Sequence, residues 1–261
     1  MMAVIVSVAN QKGGVGKTTT AVNLATALAA IGKRVLLVDL DPQSNATTGL
    51  GVYSGTMNTS YDLFVRGITL SESMVCTKIP GLSLIPASID LVGAEIELVQ
   101  TNDREKILRN SIDPYISMFD YIIIDSPPSM GILTLNALVA ADGVLIPLQC
   151  EYYALEGLSY LLGSIARIKS TSNPTLQVFG VVLTMFDKRS ALCLSVVNDA
   201  RRHLQKIVFD SVIPRNVKIA EAPSHGKPVL LHDVKSIGSM AYMTLAREFL
   251  AKERSGVWNK N

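Results

Sequence analysis

The sequence is short of cysteine, of histidine, of net charge and of long apolar runs, and each shortage removes a class of function. Its 261 residues hold three cysteines, Cys76, Cys150 and Cys193. They are far apart, odd in number and lack C-x-x-C spacing, so neither a disulfide framework nor a zinc or iron–sulfur site is indicated, and reduced structural thiols are expected. The three histidines, His203, His225 and His232, are scattered and are given no catalytic role. A formal net charge of +2 does not mark a nucleic-acid binder by bulk charge, and any such surface must come from local clustering. No run approaches the ~20 apolar residues that span a membrane. The opening MMAVIVSVAN lacks a basic leader and is too short in its apolar part for a signal peptide, so a cytoplasmic protein is expected. The sequence does have material for a core: 48% of residues are apolar and 18% charged, which excludes a disordered chain.

Short β-branched runs recur at 4–8, 35–39, 82–86, 121–125, 144–148, 178–184 and 208–213. Most are almost wholly apolar, as strands covered on both faces are. Helical patterns lie between them, at 18–31, 155–168, 187–206 and 237–252. The alternation predicts an α/β fold: a single domain over residues 1–261 with a doubly wound, mostly parallel sheet flanked by helices. The stretch 49–80, rich in Gly, Ser, Thr and Met, reads as a loop with one short helix.

The chemistry concentrates in Asn10-Gln11-Lys12-Gly13-Gly14-Val15-Gly16-Lys17-Thr18-Thr19. It follows a predicted strand and opens a predicted helix, the setting of a phosphate-binding loop. Gly13, Gly14 and Gly16 let backbone N–H groups approach phosphate oxygens, Lys17 reaches the terminal phosphates and Thr18 offers a hydroxyl to Mg²⁺. The usual pattern G-x-x-x-x-G-K-[ST] places glycine where Gln11 stands, and Lys12 is a second lysine inside the loop. Asp125 ends the apolar run 121–124, where a metal-holding carboxylate belongs. Asp39 and Asp41 alternate at the end of the second strand. Asp39 suits the metal shell, and Asp41, just beyond the strand, suits a role in orienting water.

KGGVGKTTT, VDLDPQSNATTGLG, YIIIDSPPS, CEYYALEG and VIPRN through EAPSHGKP together resemble the ParA/Soj family of chromosome- and plasmid-partitioning ATPases, from residue 4 to residue 228. The altered phosphate loop alone indicates the wider superfamily with MinD and the nitrogenase iron protein. The resemblance implies ATP and Mg²⁺ as cofactors and an ATP-sandwich homodimer. It implies that Lys12 reaches the partner's nucleotide, that Asp41 is needed for hydrolysis, and that Pro214 and Asn216 hold the adenine. ATP contacts are thus expected from Lys12, Gly13, Gly14, Val15, Gly16, Lys17, Thr18, Thr19, Pro214 and Asn216. Metal contacts are expected from Thr18, Asp39 and Asp125, and catalytic roles from Lys12, Lys17 and Asp41.

The resemblance also implies non-specific binding of double-stranded DNA by the ATP-bound dimer, nucleoid association, and hydrolysis stimulated by a ParB/Spo0J-like protein. Basic residues cluster in the second half (Lys188, Arg189, Arg201, Arg202, Lys206, Arg215, Lys218). Of these, Arg189 and Lys218 match positions that contribute to DNA binding in the family. The first strand starts at residue 4, so no N-terminal helix-turn-helix domain and no operator-specific binding are expected. The alternative is a MinD-like membrane-positioning ATPase. The tail from Phe249 to Trp258 has few apolar residues and a glycine break, so no membrane binding is expected; Trp258 is the residue there that suits a membrane surface.

Overall fold

The structure is a computed structural model that describes residues 2–55, 57–256 and 258, leaving the Lys206 side chain and Val257 outside the described residues. Its elements run β1 (Val4–Val8), α1 (Lys17–Ala30), β2 (Val35–Asp39), α2 (Asn45–Gly49), a π-type turn (Asp62–Arg66), α3 (Leu70–Ser73), β3 (Val75–Cys76) and β4 (Leu82–Ile85). Next come α4 (Leu91–Glu97), α5 (Ile107–Ile112), β5 (Tyr121–Asp125), α6 (Ile132–Ala140), β6 (Gly143–Gln149) and α7 (Ala154–Thr171). The chain finishes with β7 (Gln177–Phe186), α8 (Ala191–Leu204), β8 (Val208–Pro214), α9 (Val217–Glu221), α10 (Val229–His232) and α11 (Ile237–Arg254).

One eight-stranded sheet carries the order β3-β4-β2-β5-β1-β6-β7-β8. Every pairing is parallel except that of the two-residue edge strand β3. Alternation along each strand sorts its side chains into two cores. Ile122 and Ile124 of β5 join Ile5, Leu36 and Val144 in the core beneath α5, α6, α7 and α8. Tyr121 and Ile123 join Val6, Val8 and Leu37 in the core beneath α1 and α11. Strands apolar at every position are the consequence of cover on both faces. The β1, β2 and β5 C-terminal ends lie side by side at the centre of the sheet, which brings the phosphate loop and the aspartates to one edge.

Two expectations are revised. The stretch 49–80 holds more than one short helix: a π-type turn, α3 and the edge strand β3. Asp62 organises it locally, accepting from the Thr59 N–H at 2.8 Å and pairing with Arg66 at 2.8 Å. The helix expected from 187 starts at Ala191, because the Ser190 hydroxyl caps it by accepting from Cys193 N–H at 3.3 Å. Asp187 instead turns back on its own loop, accepting from the Arg189 backbone N–H at 3.0 Å.

Trp258 is buried against the sheet. Its ring stacks on Phe179 at 4.4 Å between centroids, and its indole N–H donates to the Phe179 carbonyl at 2.9 Å. Trp258→Ala should therefore lower the unfolding free energy by about 3 kcal/mol in urea denaturation followed by circular dichroism. Trp258→Phe should cost about 1 kcal/mol, mainly the lost hydrogen bond. An unchanged midpoint in Trp258→Ala would show that the indole does not support the core.

Candidate functional site

The loop between β1 and α1 is held from both sides. Asn10 donates through Nδ2 to the Pro147 carbonyl at 2.8 Å, and its Oδ1 accepts from the Lys12 N–H at 3.0 Å. Gln11 donates to Ser164 Oγ of α7 at 3.3 Å, and the Val15 carbonyl accepts from the Thr184 hydroxyl at 2.8 Å. Gly14 and Gly16 take φ of +75° and +89°, a left-handed backbone that an L side chain resists. The loop leads directly into the start of α1, where free N–H groups and the helix dipole favour an anion. Lys17 is buried and donates to the Lys12 carbonyl at 3.0 Å. Burial lowers its pKa, while the charges of Asp125 and Asp41 raise it.

The carboxylates stand opposite. Asp39 and Asp125 are register partners on β2 and β5, and both are fully buried. Asp39 is well supplied with donors: Asp41 N–H at 3.1 Å to Oδ1, then Thr47 N–H at 2.9 Å and the Thr47 hydroxyl at 2.7 Å to Oδ2. Even so, burial pushes its pKa up to about 6, with the Asp41 charge adding a lesser push. Neither oxygen of Asp125 completes a hydrogen bond, though the Thr18 hydroxyl is close enough to favour the ionised form. Burial, and after it the Asp39 charge, hold Asp125 well above the usual carboxylate range. The two metal candidates thus differ: Asp39 already shapes the turn into α2, and Asp125 has both oxygens to offer. Asp41 lies just past β2 and anchors its loop by accepting from the Gln43 N–H at 2.9 Å. Among the described residues no cluster of three or more His, Cys, Asp or Glu is set to hold a metal. One free carboxylate beside a threonine hydroxyl fits Mg²⁺ held largely by phosphate and water.

Across the loop, the ends of β7 and β8 frame a cavity of about 360 Å³ lined by Gly16, Thr19, Met185, Pro214, Asn216 and Tyr242 among others. Met185 sits at φ +52°, an uncommon backbone state for a long side chain. Asn216 Oδ1 is buried and has no partner. A mostly apolar slot with one unsatisfied amide suits a flat heteroaromatic base carrying a hydrogen-bond donor.

Lys12 points outward, with half of its side chain exposed, and its ammonium pairs with Glu151 at the end of β6. Beside that pair Tyr152 and Tyr153 meet edge to face, with 75% and 67% of each residue exposed. The sequence shows this acid and these tyrosines in the CEYYALEG block but not their place beside Lys12, because Glu151 lies 139 positions further along the chain. Arg189 and Lys218 lie after adjacent strands, beyond β7 and in α9. Each has an acidic neighbour: Arg189 forks onto Asp187 at 2.8 and 3.0 Å, and Lys218 meets Glu221 at 2.9 Å. The Arg189 guanidinium holds the Asp187 carboxyl down at about 2.

The chain is similar in sequence and in fold to known proteins. A family model described as an AAA domain matches residues 3–178. The chromosome partitioning protein ParA of Caulobacter vibrioides is 51% identical over 253 residues, covering 96% of this chain and 95% of that protein. The sporulation initiation inhibitor protein Soj of Bacillus subtilis is 50% identical, covering 96% of this chain and 99% of that protein. A Mycobacterium smegmatis structure with bound ADP and magnesium, named cobyrinic acid a,c-diamide synthase, is 37% identical. It superposes with a TM-score of 0.86, covering 98% of this chain and 97% of that one. With half of its residues shared over nearly their full length with the first two, the chain belongs to the ParA/Soj family of chromosome-partitioning ATPases.

Proposed function

We propose that the protein is an ATP- and Mg²⁺-dependent dimerising switch for DNA segregation. Partner-stimulated hydrolysis of ATP to ADP and phosphate releases it from DNA. One observation carries the nucleotide reading. Among the described residues, the buried side-chain oxygens without a partner belong to Asp125 and Asn216. They flank the phosphate loop on its two sides, one where a metal belongs and one where a base belongs. A buried oxygen left unpaired costs about 1–3 kcal/mol, so both sites favour a ligand that satisfies them.

In this reading the N–H groups of residues 13–19 and the Lys17 ammonium hold phosphate oxygens. Thr18 and Asp125 hold Mg²⁺, and Asp39 fixes the turn that carries Asp41. Asp41 orients the attacking water. Bound Mg²⁺ supplies charge neutralisation for the transferring phosphoryl group. Pro214 packs on adenine, and Asn216 Oδ1 accepts from its amino group. The Lys12 side chain stands outside its own chain's phosphate cradle, to which Lys12 contributes only its carbonyl. Its outward position beside exposed Tyr152 and Tyr153 supports a role across a dimer face. The charge of Lys12 would then act on the partner's nucleotide, as an arginine finger does. Arg189 and Lys218 contribute to a basic surface that two protomers present together.

The Lys12 and Lys17 roles separate experimentally. Lys17→Ala should weaken nucleotide binding by about 10–100-fold, the worth of a charge-assisted contact. Lys12→Ala should hold nucleotide nearly as the parent does while losing stimulated hydrolysis and dimerisation. Equal loss of nucleotide affinity in the two, read by a fluorescent ATP analogue, would undo the assignment.

Asp41→Ala should keep ATP-dependent dimers and DNA binding but slow turnover by about 10²–10⁴-fold, the usual worth of a positioned acid–base group. DNA affinity of the parent should require ATP rather than ADP and fall steeply as salt rises. Parent-like hydrolysis in Asp41→Ala, or salt-tolerant DNA binding without nucleotide, would count decisively against the switch.

A further inference from the structure

Helix α4 and its flanking turns present two apolar stripes. Leu91, Ala94 and Leu98 face inward and are buried in the core beneath α5 and α6. On the outside, Ile89, Val92, Ile96 and Val99 are exposed to 62%, 59%, 77% and 54%. Their spacing of three, four and three residues follows one side of a helix. The turn 88–93 leads into α4, with Val92 N–H donating to Ile89 O at 3.0 Å and Gly93 N–H to Asp90 O at 2.8 Å, so the stripe is continuous. Isolated exposed apolar residues need no explanation, but four in register along α4 and its flanking turns mark a contact surface.

Charge selects the occupant. Residues 88–102 contain Asp90, Glu95 and Glu97 and no lysine or arginine, although the whole chain is net positive. None of the three carboxylates takes part in an ion pair among the described residues. A second copy meeting this face across a twofold axis would set these acids near their own counterparts. Anionic lipid and nucleic acid are repelled by the same charges. The face also adjoins the candidate site. The Glu95 carboxylate fills the space beside Gly131 so closely that a Cβ there would overlap it. Gly131 closes the loop 126–131, which runs from Asp125 into α6.

We propose that the Ile89–Val92–Ile96–Val99 face of α4 and its flanking turns docks an amphipathic helical segment of a partner protein, its apolar side on the stripe and its basic flanks on Asp90, Glu95 and Glu97. Seated there, the segment bears on the loop that follows the metal-holding carboxylate. That consequence rests on the proposed hydrolytic switch, whereas the docking itself does not.

The test uses the full chain and two labelled synthetic helices in fluorescence polarisation. One has leucine along one face and lysine and arginine elsewhere, and the other has glutamate in place of the basic residues. The basic helix should bind the parent. Val92→Ser with Ile96→Ser should weaken it at least tenfold, and Glu95→Gln with Glu97→Gln should weaken it several-fold and flatten its salt dependence. The glutamate helix should bind at least tenfold more weakly than the basic one. Nucleotide affinity should be unchanged in both double variants, which also certifies their folding. Equal peptide affinity in parent and variants overturns the proposal, as does equal binding of the two helices. So does nucleotide-free self-association of the parent that Val92→Ser with Ile96→Ser abolishes, or co-sedimentation with phosphatidylglycerol vesicles that the same pair abolishes. A chain that hydrolyses ATP but ignores the basic helix removes only this inference. A chain that binds the helix but never hydrolyses ATP removes only the switch.

Discussion

Two buried carboxylates side by side at the centre of a sheet are the constraint around which this molecule is organised. Asp39 and Asp125 are register partners, and both are fully buried. Burial raises the pKa of both, Asp39 to about 6, with a lesser push on Asp39 from the Asp41 charge and on Asp125 from the Asp39 charge. A carboxyl whose pKa is raised on folding binds protons more tightly in the folded chain. Its favourable contribution is complete below the unfolded value, near 4, and is withdrawn as pH climbs through the folded value. At neutral pH the pair therefore works against folding, and the large apolar cores on both faces offset it. Lys17, itself held at a lowered pKa by burial, answers only part of the charge. A divalent cation is the natural complement, and a site that opposes folding when empty gains stability from its ligand.

The sheet was legible in the sequence because cover on both faces makes strands apolar at every position, and β1, β2 and β5 follow the predicted ranges. The phosphate loop was legible because glycine, lysine and threonine at fixed spacing have few other uses. What stayed hidden has physical reasons. Residues 49–80 owe their shape to polar side chains bonding to nearby backbone, such as Asp62 to Thr59, and such turns leave no hydrophobic period. Helix α4 carries Gly93 and apolar residues on two sides, so a single amphipathic stripe cannot be picked out. The Glu151 partner of Lys12 and the orphan oxygen of Asn216 depend on which strands become neighbours, and no local pattern encodes that.

Glycines far apart in the chain show the same dependence. Gly51 and Gly226 lie against each other so closely that a Cβ on Gly51 would stand 2.8 Å from the Gly226 carbonyl oxygen. Each takes a left-handed φ, +70° and +59°. This crossing ties the segment after α2, whose turn Asp39 organises, to the segment that borders the base cavity through Pro223. The metal side and the base side of the site thus share a backbone contact. In the sequence the two glycines are only the last residue of TTGLG and the middle residue of SHGKP.

The departure of the phosphate loop from its usual pattern also has a structural reason. Glycine at position 11 would leave that end of the loop free. Gln11 instead reaches Ser164 on α7, while Asn10 holds both the Pro147 carbonyl and the Lys12 N–H. The loop is thereby fixed to the β6–α7 side of the sheet just before Lys12, and the same side supplies Glu151. Tethered in this way, the Lys12 backbone carbonyl turns inward to accept from Lys17, and its side chain is directed outward to Glu151. One residue therefore serves two sites. Its carbonyl steadies the lysine of its own cradle, and its ammonium waits at the surface on a pairing that is half exposed and hence weak. A weak, solvent-accessible pair is what a lysine needs if it is to exchange a carboxylate in its own chain for a phosphate in another.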